Sequence, residues 1–246
     1  MRIAIISDIH ANREALEAVL SGIDESGADK LVCLGDIVGY GADPAWCVDE
    51  IAGRASRGAL VVKGNHDDAI AVRAPTMNAV AAAAIEWTRG RLDTMQTRYL
   101  ADLPLTERVG PALFVHANAW APQDWGYVTN AREAERSMDR TEATLTFCGH
   151  THVPALYHGP AGRPAVHHSP ATDVVTPLST SMRWLAVSGS VGQPRDGRSA
   201  AAFAILDLDQ RRLTFRRVAY DVEKAARKIR AARLPESLAE RLFLGL

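Results

Sequence analysis

Apolar positions along the first part of the chain fall into short runs, and each run stops at polar residues able to hold a metal. Arg2 to Ile6 is closed by Ser7-Asp8-Ile9-His10, Leu31 to Leu34 by Gly35-Asp36, and Ala59 to Val62 by Gly64-Asn65-His66-Asp67. Ala112 to Val115 is followed by His116-Ala117-Asn118, and Leu145 to Cys148 by Gly149-His150-Thr151-His152. These runs are rich in Val, Ile, Leu and Phe and do not alternate with polar residues, the pattern of strands buried on both faces. Between the first two, Asn12 can cap a helix whose Leu16, Val19 and Leu20 share a face before Gly22 and Gly27 end it. Strand, helix and strand in about thirty residues make a right-handed crossover. Asp8, Asp36 and Asn65 follow one another at separations of 28 and 29 residues, which fits two such steps. Parallel strands share one C-terminal edge, where open α/β sheets bind ligands. The polar clusters are therefore expected to meet in space.

From Asp67 to Leu103 the chain is Ala-rich and reads as a helical insertion at about 68–103. Its two pieces run from about Asn78 to Arg91 and from Asp93 to Ala101, broken near Gly90. Asn130 to Arg140 is a further helix. Ala155 to His158, Ala165 to His168, Trp184 to Ser188, Ala201 to Leu208 and Leu213 to Ala219 read as strands of a second, largely antiparallel sheet. Asp207-Leu208-Asp209-Gln210 is the hairpin connection. Val222 to Leu244 closes the chain as two amphipathic helices hinged at Pro235. Their Lys224, Arg227, Lys228 and Arg230 read either as a solvated face or as a basic surface for a partner.

Composition narrows the class. A chain of 246 residues with 47% hydrophobic and 23% charged residues can bury a sizeable core, and a single domain over 1–246 is expected. Twenty-eight basic against twenty-nine acidic residues give a net charge of -1, so any phosphate binding must be local rather than a property of the whole surface. Cys33, Cys47 and Cys148 lack paired spacing and read as reduced thiols, with Cys148 a small buried residue rather than a metal ligand. No apolar run approaches the roughly 20 residues of a membrane span. A cytoplasmic protein is expected.

The clustered candidates are Asp8, His10, Asp36, Asn65, His66, His116, His150 and His152, an oxygen and nitrogen donor set holding five of the eight histidines. A lone His at a strand end is ordinarily structural; the co-occurrence of these clusters argues otherwise. One tetrahedral zinc takes four ligands, so this set suits two ions. Two ions about 3.5 to 4 Å apart clamp the attacking and leaving oxygens of an in-line displacement and generate hydroxide at neutral pH. Asp36 is the natural bridge between them. Two carboxylates only partly offset two divalent ions, which leaves an electropositive pocket suited to phosphate. Gly39-Tyr40-Gly41 and Gly189 to Gly192 lack the spacing or the lysine of nucleotide-binding glycine loops. His158, His167 and His168 read as structural.

In their order, Asp8-Ile9-His10, Gly35-Asp36, Gly64-Asn65-His66-Asp67, His116 and Gly149-His150-Thr151-His152 resemble the calcineurin-like metallophosphoesterase superfamily. Gly189-Ser190-Val191-Gly192-Gln193-Pro194-Arg195 is similar to a segment of its small bacterial branch, the YfcE-like phosphodiesterases and diadenosine tetraphosphatase-like proteins. The resemblance implies an α/β fold in which two mixed β-sheets pack as a sandwich with helices on the outer faces. It implies that Asp8, His10 and His152 hold a first metal, that Asn65, His116 and His150 complete a second, and that Asp36 bridges them. His66 would stabilise the transition state or protonate the leaving oxygen, with Asp67 accepting the other ring hydrogen of His66 to fix its tautomer.

The expected activity is hydrolysis of a phosphodiester or of a nucleotide or dinucleoside polyphosphate by a metal-bridging hydroxide. A phosphomonoesterase on the same site and a non-catalytic binding module are the alternatives. Manganese, iron, zinc, nickel and cobalt all suit the donor set. A small phosphate ester or nucleotide is the expected partner, with no membrane and no stable nucleic-acid binding; Arg211-Arg212, Arg216-Arg217 and the final helices offer only a weak basic tail. Arg195 is a candidate fork for a substrate phosphate, or part of an ordinary Pro-Arg-Asp-Gly turn. Asn12 is a second candidate substrate contact. Trp120, Trp125 and Tyr127 either stack on a nucleobase or pack under their loop.

Overall fold

The first strand shows why its apolar run does not alternate. In the computed structural model, which describes residues 1–72 and 77–246, Ile3 and Ile5 face one core, Ala4 and Ile6 face another, and all four are fully buried. The chain runs β1 (Arg2–Ile6), α1 (Arg13–Ser26), β2 (Lys30–Cys33), α2 (Pro44–Ala55), β3 (Leu60–Val61), α3 (Asn65–Ala71), α4 (Ala79–Arg89) and α5 (Thr94–Asp102). It continues through β4 (Thr106–Val109), β5 (Ala112–Val115), α6 (Ala131–Asp139), β6 (Leu145–Cys148), β7 (Ala155–Gly159), β8 (Val166–His168) and β9 (Val175–Pro177). Last come β10 (Arg183–Val187), β11 (Ala201–Asp207), β12 (Arg212–Val218), α7 (Val222–Ala231) and α8 (Glu236–Leu244).

Two mixed sheets form, with strand orders β3-β2-β1-β11-β12-β9 and β4-β5-β6-β10-β7-β8. As expected from the crossover spacing, β1, β2 and β3 are parallel; β5, β6 and β10 are parallel as well, although β10 was read as a strand of the antiparallel sheet. Ile5, Leu34, Phe114, Phe147, Leu206 and Phe215 fill the space between the sheets, with Phe114 and Phe147 stacked at 5.4 Å. Outside the first sheet, Leu16, Val19, Cys47, Val48 and Ile51 from α1 and α2 pack on Ala4, Ile6 and Cys33. Outside the second, Ala134 and Met138 of α6 cover Val115, Cys148 and Val187. Helices thus flank a two-sheet sandwich.

One expectation is corrected. The later strands do not form a sheet of their own: β11 pairs with β1 in one sheet, while β10 pairs with β6 in the other. The reason is burial. Phe203 of β11 faces the helix-covered core and Ala204 and Leu206 face the core between the sheets, so β11 has two apolar faces and must be central. Strands β4 and β9 were not expected, while α2 supplies the helix of the second crossover step, whose bounds the sequence reading left open. In the helical stretch, Asn78 caps α4 and an Asp93/Gln96 capping box starts α5; residues 73–76 of that expected stretch lie outside the described residues.

The C-terminal helices break at Pro235 as expected. Their basic residues are paired: Lys224 and Lys228 with Glu14 of α1, Arg227 with Glu223, and Arg230 with Glu236. Ala225, Ala226, Ile229, Leu238 and Leu242 pack against Tyr40 and against Ala81 and Ala84 of α4. The tail therefore buttresses one wall of the cleft described next.

Candidate metal centre

Both sheets turn the C-terminal ends of their parallel strands to the same end of the sandwich. Asp8 and His10 follow β1, Asp36 follows β2, Asn65 and His66 open α3 after β3, His116 follows β5, and His150 and His152 follow β6. The turns are sharp: Asp8, His10, Ala11, Asp36, Tyr40, His150 and His152 all have φ between 48° and 67°. Non-glycine residues there cost on the order of 1–3 kcal/mol each and persist only where neighbours fix them. Here the fixing bonds run between loops: Asp8 N to Gly35 O (3.0 Å), His10 N to Asp36 O (2.9 Å) and Gly192 N to Asp8 O (2.9 Å). Gly149 lets the loop of the second sheet reach the first, since a Cβ there would collide with the Ser7 hydroxyl and the Asp8 carboxylate.

Hydrogen bonding then sets the tautomers. His10 Nδ1 lies 3.1 Å from Val38 O, His116 Nδ1 2.8 Å from Leu34 O, and His152 Nδ1 2.6 Å from Gln193 O. A carbonyl only accepts, so each Nδ1 carries the hydrogen and each Nε2 presents a lone pair. His10 Nε2 and His152 Nε2 face each other at 3.1 Å, and Asp8 Oδ1 lies 3.2 Å from His152 Nε2 with no hydrogen-bond donor of its own. On the other side His116 Nε2 faces His150 Nδ1 at 3.1 Å and Asn65 Oδ1 at 3.2 Å. Asp36 Oδ2 stands between the two groups, 3.7 Å from His10, 3.5 Å from His116 and 4.0 Å from His66. Its Oδ1 is occupied by the His66 N–H at 2.8 Å.

Buried acceptors converging without donors repel one another, and a cation between them reverses that. Two ligands about 2.1 Å from one ion stand roughly 3 to 3.5 Å apart, so the spacing fits a metal. Protonation is disfavoured as well: burial, aided by neighbouring imidazoles, pushes His10, His150 and His66 down, His66 to about 3. Burial likewise lowers His116. Neutral imidazoles are the metal-binding form. For the carboxylates, burial raises Asp36, with Asp8 and Asp67 adding to it, whereas in Asp8 burial also works upward but the imidazoles of His152, His116 and His10 together outweigh it and lower the carboxyl. Asp8–His10–His152 and Asp36–His116–His150 are groups whose donor atoms can share an ion, and His10–Asp36–His66 is a third.

A family model for the calcineurin-like phosphoesterase superfamily domain matches residues 1–211. The chain belongs to that superfamily. It is a metal-dependent phosphoester hydrolase. It is 39% identical over 249 residues to the uncharacterized protein MJ0912 of Methanocaldococcus jannaschii, covering 99% of this chain and 98% of that one. The crystal structure of a metallophosphoesterase from Sphaerobacter thermophilus superposes with a TM-score of 0.88 at 40% identity, covering 100% and 99% of the two chains. A hypothetical protein, PH1004, from Pyrococcus horikoshii OT3 shares the fold with a TM-score of 0.82 at 22% identity over 100% and 98%.

Two expected roles in this phosphoesterase are corrected. Asp67 does not accept from the His66 ring: its carboxylate accepts the backbone N–H groups of Asp36 (2.8 Å), Ile37 (2.9 Å), Val38 (3.3 Å) and Gly64 (3.0 Å). It clamps the Asp36 turn; burial raises its carboxyl, and with those four donors working against the rise it stands at about 7. His66 Nδ1 is left without a partner, lying against Gly39. Asn12 is not free for a ligand either. Its Oδ1 caps α1 through Ala15 N and its Nδ2 donates to Gly192 O at 2.8 Å.

Arg195 does reach the cleft. A cavity of about 130 Å³ is lined by Asp36, Asn65, His66, His150, His152 and Arg195, with Tyr40 and Tyr127 on its sides. The Arg195 fork is steadied by buried Gln193, whose Oε1 accepts from Nε at 3.3 Å and Nη2 at 2.8 Å, and its guanidinium stands 5.7 Å from the Tyr40 ring centre. Tyr40 and Gln193 were missed from sequence. Glycines on both sides of Tyr40 were the available signal, since they mark a turn that could carry it. Cys148 is fully buried, His158 packs on Trp184 and His167 on Tyr157, as expected of structural residues. No helix among the described residues is long and apolar enough to cross a membrane.

Proposed function

We propose that this protein hydrolyses a phosphodiester or a nucleotide phosphate bond with two divalent cations. Asp8, His10 and His152 hold the first, Asn65, His116 and His150 the second, and Asp36 is shared. The observation that carries this reading is the meeting of Asp8 Oδ1 with two imidazole lone pairs 3.1 Å apart, which no donor satisfies. When bound, the cations supply Lewis-acid charge to the phosphoryl oxygens and lower the pKa of water.

The remaining steps belong to the chain. Arg195, bonded to a neutral amide rather than to a carboxylate, keeps its positive charge for a non-bridging phosphate oxygen and orients the ester. Gln193 holds that fork in place. His66, neutral and anchored through its backbone to Asp36, donates a ring N–H hydrogen bond to the leaving oxygen and stabilises the charge that develops there, the proton itself coming from water. Asp67 keeps the Asp36 turn rigid throughout.

The test uses purified protein with manganese and bis-p-nitrophenyl phosphate, alongside p-nitrophenyl phosphate as the monoester. Asp36→Asn is expected to lower metal content and turnover together. Unchanged turnover in that variant refutes the shared carboxylate, and a metal-independent background alone marks a binding module. Faster turnover of the monoester assigns the phosphomonoesterase alternative.

A further inference from the structure

We infer that Tyr127 is a stacking platform for an aromatic heterocycle, so that the ester taken by the cleft carries a nucleobase; this rests on the phosphoesterase reading above. The loop bearing Tyr127 is braced before any ligand arrives. Asn118, fully buried, accepts through Oδ1 from Trp120 N at 3.1 Å and Ala121 N at 2.9 Å. Through Nδ2 it donates to the carbonyl of Gly126 at 2.8 Å, one residue before Tyr127. Trp120 packs beneath, with the Arg136 guanidinium 4.7 Å from its ring centre and Gly126 so close that an added Cβ would stand 3.0 Å from its ring. Trp125, at φ 55°, sets its ring edge-on to His116 at 5.9 Å.

Tyr127 itself lies nearly parallel to His150, at 17° and 4.1 Å between ring centres, so one face is covered by a residue of the centre. Yet it remains 51% exposed and lines the same cavity as Asp36, His66 and Arg195. An aromatic residue serving only to pack the loop is tucked under it, as Trp120 is. Tyr127 instead keeps half of its surface open on a loop fixed by Asn118, beside the cavity that Arg195 lines. Because Tyr127 and Arg195 line one cavity of about 130 Å³, a ring set on Tyr127 and a phosphate held by Arg195 can belong to one ligand, as the base and 5′-phosphate of a nucleotide do. Every nucleobase has a π face, so such a platform selects for a base without choosing which one. Stacking of this kind raises affinity by roughly 5- to 150-fold.

The experiment is isothermal titration of the manganese-loaded protein with adenosine 5′-monophosphate, ribose 5-phosphate and inorganic phosphate. Wild type is compared with Tyr127→Leu and Tyr127→Phe, with bound manganese measured in each. The wild type is expected to bind the nucleotide on the order of 10-fold more tightly than ribose 5-phosphate. Tyr127→Phe keeps that ratio, and Tyr127→Leu brings it to about one. Equal binding of the two sugars' phosphates by wild type overturns the platform while leaving the phosphoesterase reading in place. So does a Tyr127→Leu protein that loses manganese and weakens both ligands alike, which would make Tyr127 a shield for His150. Failure to bind any of the three phosphates overturns both readings.

Discussion

Removing Lys228 tests whether the C-terminal helices are latched to the metal loops by charge. Glu14 sits on the first turn of α1, four residues after His10, with its side chain 4% exposed. Its Oε1 lies 2.6 Å from Lys228 Nζ and 3.2 Å from Lys224 Nζ, and Lys228 also bonds Asp43 Oδ2 at 2.7 Å. Stripping one partner from a buried pair costs about 3–5 kcal/mol, whereas an exposed pair is worth about 0–1. Lys228 is 30% exposed and Lys224 remains after its loss, so Lys228→Met should cost about 2 kcal/mol. In a chain of this length that is a melting temperature lower by about 4–8 °C. Urea unfolding of wild type, Lys228→Met, Glu14→Gln and the double variant gives the pairwise coupling, expected at about 1–2 kcal/mol.

The pH dependence has a definite sign. Burial works against the charge on Glu14 but the lysines outweigh it, so its carboxyl titrates below its ordinary value in the folded protein. A lowered carboxyl contributes stability that is present above the unfolded value of about 4.3 and lost as pH falls through the folded one. The gap between wild type and Glu14→Gln should therefore hold from neutral pH down to about 5 and close below about 4. Coupling under 0.5 kcal/mol, or a gap that widens in acid, refutes the latch.

Three further outcomes follow from the same geometry. Asp67→Asn keeps the volume but turns one acceptor oxygen toward backbone N–H groups as a donor, so about 3 kcal/mol of stability and most metal affinity should go; denaturation that matches wild type would contradict the clamp. Chelation should lower the melting temperature, because a ligand bound only to the folded state at 100 times its Kd contributes about 2.7 kcal/mol, and calorimetry before and after EDTA reads it. Gln193→Met frees the Arg195 fork while leaving the backbone carbonyl on His152, so KM should rise about 10-fold with kcat and metal content little changed; a fall confined to kcat would count against it.

Much of the centre was legible because its logic is local. A run such as Leu145–Cys148 with no polar alternation must be buried on both faces, and Gly149-His150-Thr151-His152 can then lie only past its end. The same holds for Asp8, Asp36 and His116. Helix α2 was also readable, since Pro44, Cys47, Val48 and Ile51 recur at helical spacing, but the stretch was treated only as a crossover. Asp67 and Asn12 misled because their neighbours in sequence, His66 and the Asp8–His10 loop, suggested partners. Their acceptors and donors were taken instead by backbone groups that folding brought close.

What the sequence by itself determined was which residues end each strand and which chemistry they carry, because periodicity and side-chain type are properties of short segments. The tertiary structure decided which sheet β11 would enter, where the two groups of lone pairs face each other, and that Gln193, Tyr40 and Tyr127 stand beside them. Those depend on left-handed turns and on bonds between loops far apart in the chain, such as Gly192 N to Asp8 O, whose geometry exists only once both sheets have closed on one another.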